Sequence, residues 1–101
     1  MEIKIPFRKE FEDDMNLGIK TVTSRTKRYG VAGDTFKAFG SKFLIKYVVK
    51  LPLWMVAQYL HRAEGFMSSD GFIFCWKQIY PREGYDPTQV VYVHFFMRLK
   101  K

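Results

Sequence analysis

The sequence contains one cysteine, few acidic residues and no long apolar run. Because Cys75 is the only cysteine among 101 residues, no disulfide can form within the chain, which fits a reducing compartment. No stretch approaches the roughly 18 apolar residues of a membrane span. The charged start, Met1–Lys4, is unlike a signal peptide. We therefore expect a cytoplasmic protein that does not enter a membrane.

The sequence also lacks grouped metal ligands and a phosphate-binding loop. His61, His94 and Cys75 are isolated from one another, with no pair at ligand spacing. The region from Gly30 to Gly40 does not have the glycine spacing of a phosphate loop. We expect no metal and no cofactor, a buried thiol at Cys75, and histidines that satisfy local hydrogen bonds.

The shortage of acids makes the chain strongly basic. Lysine and arginine number 17 against 10 acidic residues, which gives a net charge of +7. Such a charge attracts polyanions, and RNA is the leading candidate partner. The alternative is a basic surface that only keeps the protein soluble. The length predicts a single domain over residues 1–101 with one core, and we expect a monomer.

Aromatic residues are abundant, at 18% of the chain, and their strand-like spacing favours sheet as the main element. Strands are predicted at 2–5, 21–26, 35–39, 42–51 and 91–99. In the strand over 42–51 every odd position is apolar, which predicts one buried and one wet, basic face. The last strand shows the same alternation, with Phe95 and Met97 on the apolar side.

Helical spacing is present in three segments. Phe7, Phe11 and Met15 recur every four residues before Gly18, a predicted C-cap. Pro52 suits the first turn of a second helix, and a third is predicted from the serines at 68–69 to Tyr80. The fold class is therefore α+β, mainly β: a small, mostly antiparallel barrel with two to three flanking helices.

The segment Gly18–Arg25 carries two cations and three hydroxyls in eight residues. Lys20 and Thr23 are candidates for a proton acceptor and an attacking hydroxyl, with Arg25 placed to hold a phosphate or a carbonyl oxygen. The competing interpretation is a solvated edge strand, where lysine, threonine and arginine are ordinary residues.

The string Gly18-x-Lys20-x-x-Thr23-x-Arg25, followed by Gly33-Asp34 and by Glu64-Gly65-Phe66, resembles the ASCH domain family. That resemblance implies a fold similar to the PUA RNA-binding barrel. Some small bacterial members are amidohydrolases that remove the acetyl group from N4-acetylcytidine with a lysine, a threonine and a glutamate. The resemblance implies that Thr23 is the nucleophile, that Lys20 activates it and that Glu64 is an acid/base or orienting carboxylate.

This catalytic interpretation places two physical demands on the fold. A free lysine has a pKa of about 10.4, so Lys20 acts as a base at neutral pH only if burial lowers that value strongly. Lys20 and Glu64 form either a pair that shares protons or a charge clamp. On an ideal strand Lys20 and Thr23 point to opposite faces, so Lys20 must lie in the turn after Gly18 or beside a bulge.

Further residues are candidates for contact with an RNA or nucleoside ligand. Arg25 and the hydroxyls of the segment Gly18–Arg25 are suited to line a polar pocket. The basic residues of the loop at 27–28 are suited to contact phosphates, and aromatic rings are suited to stack on bases. These candidates are Arg25, Ser24, Thr21, Lys27, Arg28, Tyr29 and Trp76. Two rivals to the enzyme remain open: a non-catalytic RNA-binding module in RNA modification or translation control, and a regulatory binder of a small metabolite.

Overall fold

A computed structural model describes residues 1–100 and consists of five strands and three helices. A 3-10 turn at Lys9–Phe11 leads into the first helix. The strands are β1 (Glu2–Ile3), β2 (Val22–Arg25), β3 (Thr35–Ala38), β4 (Ser41–Pro52) and β5 (Val90–Arg98); the helices are α1 (Glu12–Asn16), α2 (Leu53–Tyr59) and α3 (Ser69–Ile79). The predicted α+β class is confirmed.

The strands form one sheet in the order β1-β3-β4-β5-β2. Three of its four pairings are antiparallel, and β1 runs parallel to β3. Among residues 1–100 no pairing joins the two edge strands, β1 and β2, so the predicted barrel is open there. No helix within the same residues is long and apolar enough to span a bilayer.

Helix α1 is shorter than the sequence predicts. The spacing of Phe7, Phe11 and Met15 predicts one continuous helix, but Phe7 precedes the 3-10 turn and only Met15 lies within α1. The reason is packing, because Phe7 instead stacks on Phe36 with ring centroids 5.6 Å apart. The predicted end at Gly18 is confirmed, and so is Ser68 as the N-cap of α3, since its hydroxyl accepts from the Gly71 amide.

The prediction that β4 buries one face along its whole length is wrong, because the strand carries a bulge. Its register shifts between Ile45 and Tyr47, which leaves Lys46 as an extra residue. Before the bulge Ile45 pairs with Phe96, and after it Val49 pairs with Val93. Odd positions of β4 therefore face opposite sides of the sheet before and after Lys46. Tyr47 itself is 47% exposed.

The alternation predicted for β5 also fails in its second half. Val91 and Val93 are buried in a cluster with α2 and α3, but the next buried apolar residue is Phe96, in a second cluster with Phe36 and Phe43. Since neighbouring positions on a strand alternate, the two clusters lie on opposite faces of β5. Met97, predicted on the apolar side, is consequently 45% exposed.

Candidate functional site

The turn between α1 and β2 sets the position of Lys20. Gly18 has a φ of +77°, and the Asp14 carbonyl accepts hydrogen bonds from the amides of Ile19 at 2.8 Å and Lys20 at 2.9 Å. The bond from Ile19 closes a Schellman turn, for which a left-handed glycine is the favoured residue. Because β2 begins at Val22, Lys20 lies outside the strand, as the catalytic interpretation requires.

The chain after α2 brings Glu64 to the same place. The carbonyl of Ala63 accepts from the amides of both Thr21, at 2.8 Å, and Val22, at 3.1 Å. Two successive amides on one carbonyl fasten the start of β2 to residue 63. The neighbouring Gly65 has a φ of +101°, a backbone conformation that side-chain-bearing residues rarely adopt. Glu64 is thereby fixed beside Lys20.

Lys20 is almost fully buried and its amine has three acceptors. Nζ donates to the Val22 carbonyl at 3.0 Å, to the Glu64 carbonyl at 2.7 Å and to Glu64 Oε1 at 3.1 Å. It also lies 4.5 Å from the centroid of the Phe11 ring. The three acceptors match the three N–H donors of an ammonium group, and the ring face adds a cation–π contact. Burial lowers the pKa of Lys20, and the Glu64 carboxylate opposes that effect.

Both oxygens of the buried Glu64 carboxylate are engaged. Oε1 accepts from Lys20, and Oε2 accepts from the Ser24 hydroxyl at 2.5 Å. The three side chains form a buried network in which Lys20 and Ser24 hold Glu64 from opposite sides.

Thr23 belongs to a neighbouring network. Its Oγ1 accepts from Arg25 Nε at 2.9 Å, so the hydroxyl proton of Thr23 is free to be donated elsewhere. The Thr23 hydroxyl is not among the three acceptors of Lys20 Nζ. Arg25 also donates from Nη2 to the Pro6 carbonyl at 2.6 Å and lies over the Phe7 ring. Its guanidinium thus ties the N-terminal segment to β2.

These two networks line one cavity of about 320 Å³. The aromatic part of its wall comes from Phe7, Phe11, Phe66, Phe72, Trp76 and Tyr80, and the polar part from Arg8, Lys20, Thr23, Ser24, Arg25 and Glu64. A mostly apolar cavity with a few convergent polar groups is the usual form of a small-ligand site.

The structure divides the predicted ligand contacts into two groups. Ser24, Arg25 and Trp76 line the cavity with Lys20, Thr23 and Glu64. Thr21, Lys27, Arg28 and Tyr29 are not among its lining residues. The backbone amide of Thr21 donates to the Ala63 carbonyl, and Lys27 and Arg28 are exposed.

Tyr29 packs against His94 instead of the cavity. Its amide donates to His94 Nε2 at 3.0 Å, and His94 Nδ1 lies 3.1 Å from the Thr23 carbonyl. The ring is therefore the neutral tautomer with its proton on Nδ1, which donates to Thr23. Burial lowers the pKa of His94, in keeping with that neutral form. The histidine satisfies local hydrogen bonds, as predicted from the sequence.

Several cavity residues were not predicted from the sequence as site residues. Phe7 and Phe11 were assigned to a helix core, and Arg8 carried no signal, yet all three line the cavity. Arg8 Nη1 donates to Cys75 Sγ at 3.7 Å, and burial raises the pKa of that thiol. Within residues 1–100 no group of three histidine, cysteine or acidic residues is arranged to hold a metal ion.

Comparison with solved structures identifies the fold. An ASCH domain from Lactobacillus crispatus superimposes with a TM-score of 0.72 at 12% identity, covering 86% of this chain and 69% of that one. A protein from Pyrococcus furiosus gives 0.69 at 20% identity over the whole of both chains. A mutant ASCH protein from Zymomonas mobilis gives 0.65 at 16% identity, over 98% and 73%.

No protein-family model matches the sequence, and no curated protein matches it either. The structural matches nevertheless show that the chain has the ASCH-domain fold. Since one fold supports several functions, the function has to be argued from the cavity itself.

Proposed function

We propose that the cavity binds a nucleobase or nucleoside and that the protein hydrolyses the acetyl amide of N4-acetylcytidine. The observation that supports this most directly is the convergence of Lys20, Thr23 and Glu64 on one cavity. The resemblance to the small ASCH amidohydrolases assigns catalytic roles to the same three residues. Lys20 and Thr23 are close in sequence, whereas Glu64 lies in a distant part of the chain that the fold brings to the same place.

The cavity has the size and lining that a modified base requires. Its volume of about 320 Å³ falls in the range of about 300–1,000 Å³ that is typical of small-molecule sites. Aromatic side chains such as Phe72, Trp76 and Tyr80 offer apolar faces for a planar ring. The polar residues lie together, so an amide at the edge of that ring meets the hydroxyls and the charged pair.

The reaction we propose begins at Thr23. Its Oγ1 accepts from Arg25 Nε, which fixes the oxygen and leaves its proton to be lost. Oγ1 bonds to the acetyl carbon, the bond from that carbon to N4 breaks, and the Thr23 proton ends on the leaving amine. Water then cleaves the acetyl ester, which releases acetate and restores the Thr23 hydroxyl.

Lys20 and Glu64 carry the proton in this scheme. The resting pair is an ammonium and a carboxylate in contact at 3.1 Å. Transfer of one proton to Glu64 leaves Lys20 as an amine with a free electron pair, and burial lowers the pKa of Lys20 in the direction that this transfer requires. The amine accepts the Thr23 proton, and the pair then returns it to the leaving group.

Turnover of N4-acetylcytidine tests the enzyme directly. We expect the wild-type protein to release cytidine, measured by chromatography, and Thr23→Ala and Lys20→Met to lose most of that activity. Thr26→Ala and Lys50→Ala are matched controls at exposed positions, and both retain activity. Absence of turnover in the wild type, or full turnover in Thr23→Ala, would overturn the proposal.

A second candidate is an RNA-binding module without catalysis. It is favoured by the saturation of the buried pair, since Lys20 Nζ has three acceptors and both Glu64 oxygens have donors inside the protein. Such a network suits a structural clamp. The exposed Lys27 and Arg28, which lie outside the cavity, then contact the RNA backbone.

Fluorescence anisotropy with labelled RNA separates the two candidates. The binding module predicts an affinity that falls steeply with salt and is unchanged in Thr23→Ala. It also predicts weaker binding in Lys27→Glu/Arg28→Glu. RNA affinity that is independent of salt contradicts it, whatever the result of the turnover assay.

A further inference from the structure

The cavity has a buried end and an exposed end. Its buried polar residues, each at most 7% exposed, are Lys20, Thr23, Ser24 and Glu64. We call this end the floor. The lining residues that are exposed to solvent are Pro6, Arg8 and Ile79, and we call these three the mouth. The groups proposed to react therefore lie at the floor, and Arg8 is the charged one of the three residues at the mouth.

A base bound in the proposed way has a defined direction in the cavity. The proposed function puts the acetyl amide, which is attached at C4 of the pyrimidine ring, beside Thr23 at the floor. The sugar is attached at N1, directly across the six-membered ring from C4, so it points toward the mouth. The cavity volume of about 320 Å³ is near the small end of the range for ligand sites, about 300–1,000 Å³. A phosphate on the sugar therefore extends to the mouth.

Cations outnumber acids in the cavity wall. Within the described residues, the lining contains one acid, Glu64, and three cations, Arg8, Lys20 and Arg25. Lys20 and Glu64 neutralise each other at 3.1 Å. No carboxylate among residues 1–100 forms an ion pair with Arg25, and burial lowers the pKa of Arg25 because its charge is desolvated. A neutral nucleoside leaves this excess of positive charge in place, whereas an anionic ligand offsets it.

Arg8 is held at the mouth by contacts that a phosphate can replace. Its Nε lies 2.9 Å from Glu10 Oε1, and the two side chains are 43% and 56% exposed. An ion pair this exposed contributes little to stability, so a phosphate can take the place of Glu10. On the other side, Arg8 Nη1 donates to Cys75 Sγ at 3.7 Å. A thiol is a weak acceptor, so this contact orients the guanidinium without using up its donors.

We propose that the cavity takes a cytidine nucleotide in preference to a nucleoside, and that Arg8 contacts the phosphate on its sugar. This inference rests on the proposed function, because that function determines which end of the base faces the mouth. A guanidinium binds phosphate through paired, charge-assisted hydrogen bonds. Arg8 is therefore a specificity-determining residue, and the substrate class is a nucleoside monophosphate that is acetylated at N4.

Calorimetric titration with unacetylated ligands tests the inference without turnover. Cytidine, cytidine 5′-monophosphate and cytidine 3′-monophosphate are each titrated into the wild type and its variants. We expect the wild type to bind one of the monophosphates about tenfold or more tightly than cytidine, as for other hydrogen bonds between charged groups. In Arg8→Gln this ratio of affinities should fall to about one. The matched control is Arg62→Gln, which loses the same charge at an exposed position outside the lining and keeps the ratio.

The kinetics of deacetylation give a second readout. A phosphate contact remote from the amide is equally strong in the ground state and the transition state, so it lowers KM and leaves kcat unchanged. In the wild type we expect a lower KM for the acetylated form of the preferred monophosphate than for N4-acetylcytidine, at equal kcat. The two KM values should converge in Arg8→Gln, and Arg8→Lys, which keeps the charge, should retain part of the difference. Circular dichroism confirms that each variant is folded.

The remaining outcomes separate this inference from the proposed function. Equal affinity for cytidine and both monophosphates overturns the inference and leaves the proposed function standing. A preference for a monophosphate that persists in Arg8→Gln overturns it as well, and so does binding of ribose 5-phosphate as tight as that of the nucleotide, which would show a site for phosphate alone. Nucleotide binding that depends on Arg8, without deacetylation, supports the inference and contradicts the hydrolase. If none of these ligands binds, both proposals are wrong.

Discussion

The hydroxyl of Ser24 donates to Oε2 of Glu64 over 2.5 Å, inside the protein. Lys20 occupies the other oxygen of the same carboxylate at 3.1 Å. Ser24 therefore does more than face a ligand, because its hydrogen bond fixes the plane of the Glu64 carboxylate. A carboxylate with donors on both oxygens cannot rotate without breaking a buried hydrogen bond.

Removal of the Ser24 hydroxyl should weaken the fold and the cavity together. In Ser24→Ala, Glu64 Oε2 is left buried without its donor, and a hydrogen bond to a charged group contributes about 1.5–3 kcal/mol. We expect the free energy of unfolding in urea to fall by about that amount. Ser24→Thr keeps a hydroxyl and suits a strand, so it should retain most of the stability. Equal loss in both variants contradicts a role for the hydrogen bond.

The Lys20–Glu64 pair should behave as a unit in a double-mutant cycle. Lys20→Met leaves a buried carboxylate without its cation, and Glu64→Leu leaves a buried cation, so each single change should cost about 3–5 kcal/mol. Replacing both removes both charges, and the double variant should be more stable than either single variant. Urea unfolding of the four proteins measures this. Additive losses would show that the two side chains are not coupled.

The sequence predicted the helix end at Gly18, because glycine after a helical pattern is a strong C-cap signal. It left two positions open for Lys20, the turn after Gly18 or a bulge in the strand, and the structure has Lys20 in the turn. It also placed Glu64 after α2. The hydrogen bond from Ser24 to Glu64 was not predictable, since the two residues lie 40 positions apart. Their contact depends on the hydrogen bonds between the Ala63 carbonyl and the start of β2. Neither the composition nor the periodicity of the sequence indicates those hydrogen bonds.

The aromatic cavity wall escaped prediction for a related reason. Phe7 and Phe11 occur at helical spacing, and that spacing describes a helix core as well as it describes a cavity wall. The choice between them was made by tertiary contacts, in which Phe7 stacks on Phe36 and Phe11 packs edge-on against Phe66. Local periodicity carries no information about either partner.

The bulge at Lys46 and the two-faced packing of β5 lead to a prediction about neighbouring residues. Periodicity places Met97 in the core and Phe96 outside, whereas Phe96 is 2% and Met97 45% exposed. Phe96→Ala should cost about 3–5 kcal/mol, as for other core phenylalanines. Met97→Ala should cost less than about 1 kcal/mol. Thermal unfolding compares them, and similar losses would contradict the register of β4 and β5.

Stability should also depend on pH through His94. Its Nε2 accepts from the Tyr29 amide. A proton on Nε2 would therefore face the Tyr29 N–H, and this hydrogen bond would be lost. Burial lowers the pKa of His94 in the folded state, whereas an unfolded histidine has a pKa of about 6.5.

Unfolding therefore takes up a proton at acidic pH. The contribution of His94 is fully present above about pH 6.5 and is lost as the pH falls from there toward the lower folded pKa. The slope for one proton is at most about 1.4 kcal/mol per pH unit. Urea unfolding between about pH 7.5 and 5.5 measures it, and His94→Gln should flatten the curve while His61→Gln should not. A slope unchanged in His94→Gln would assign the pH dependence to other groups.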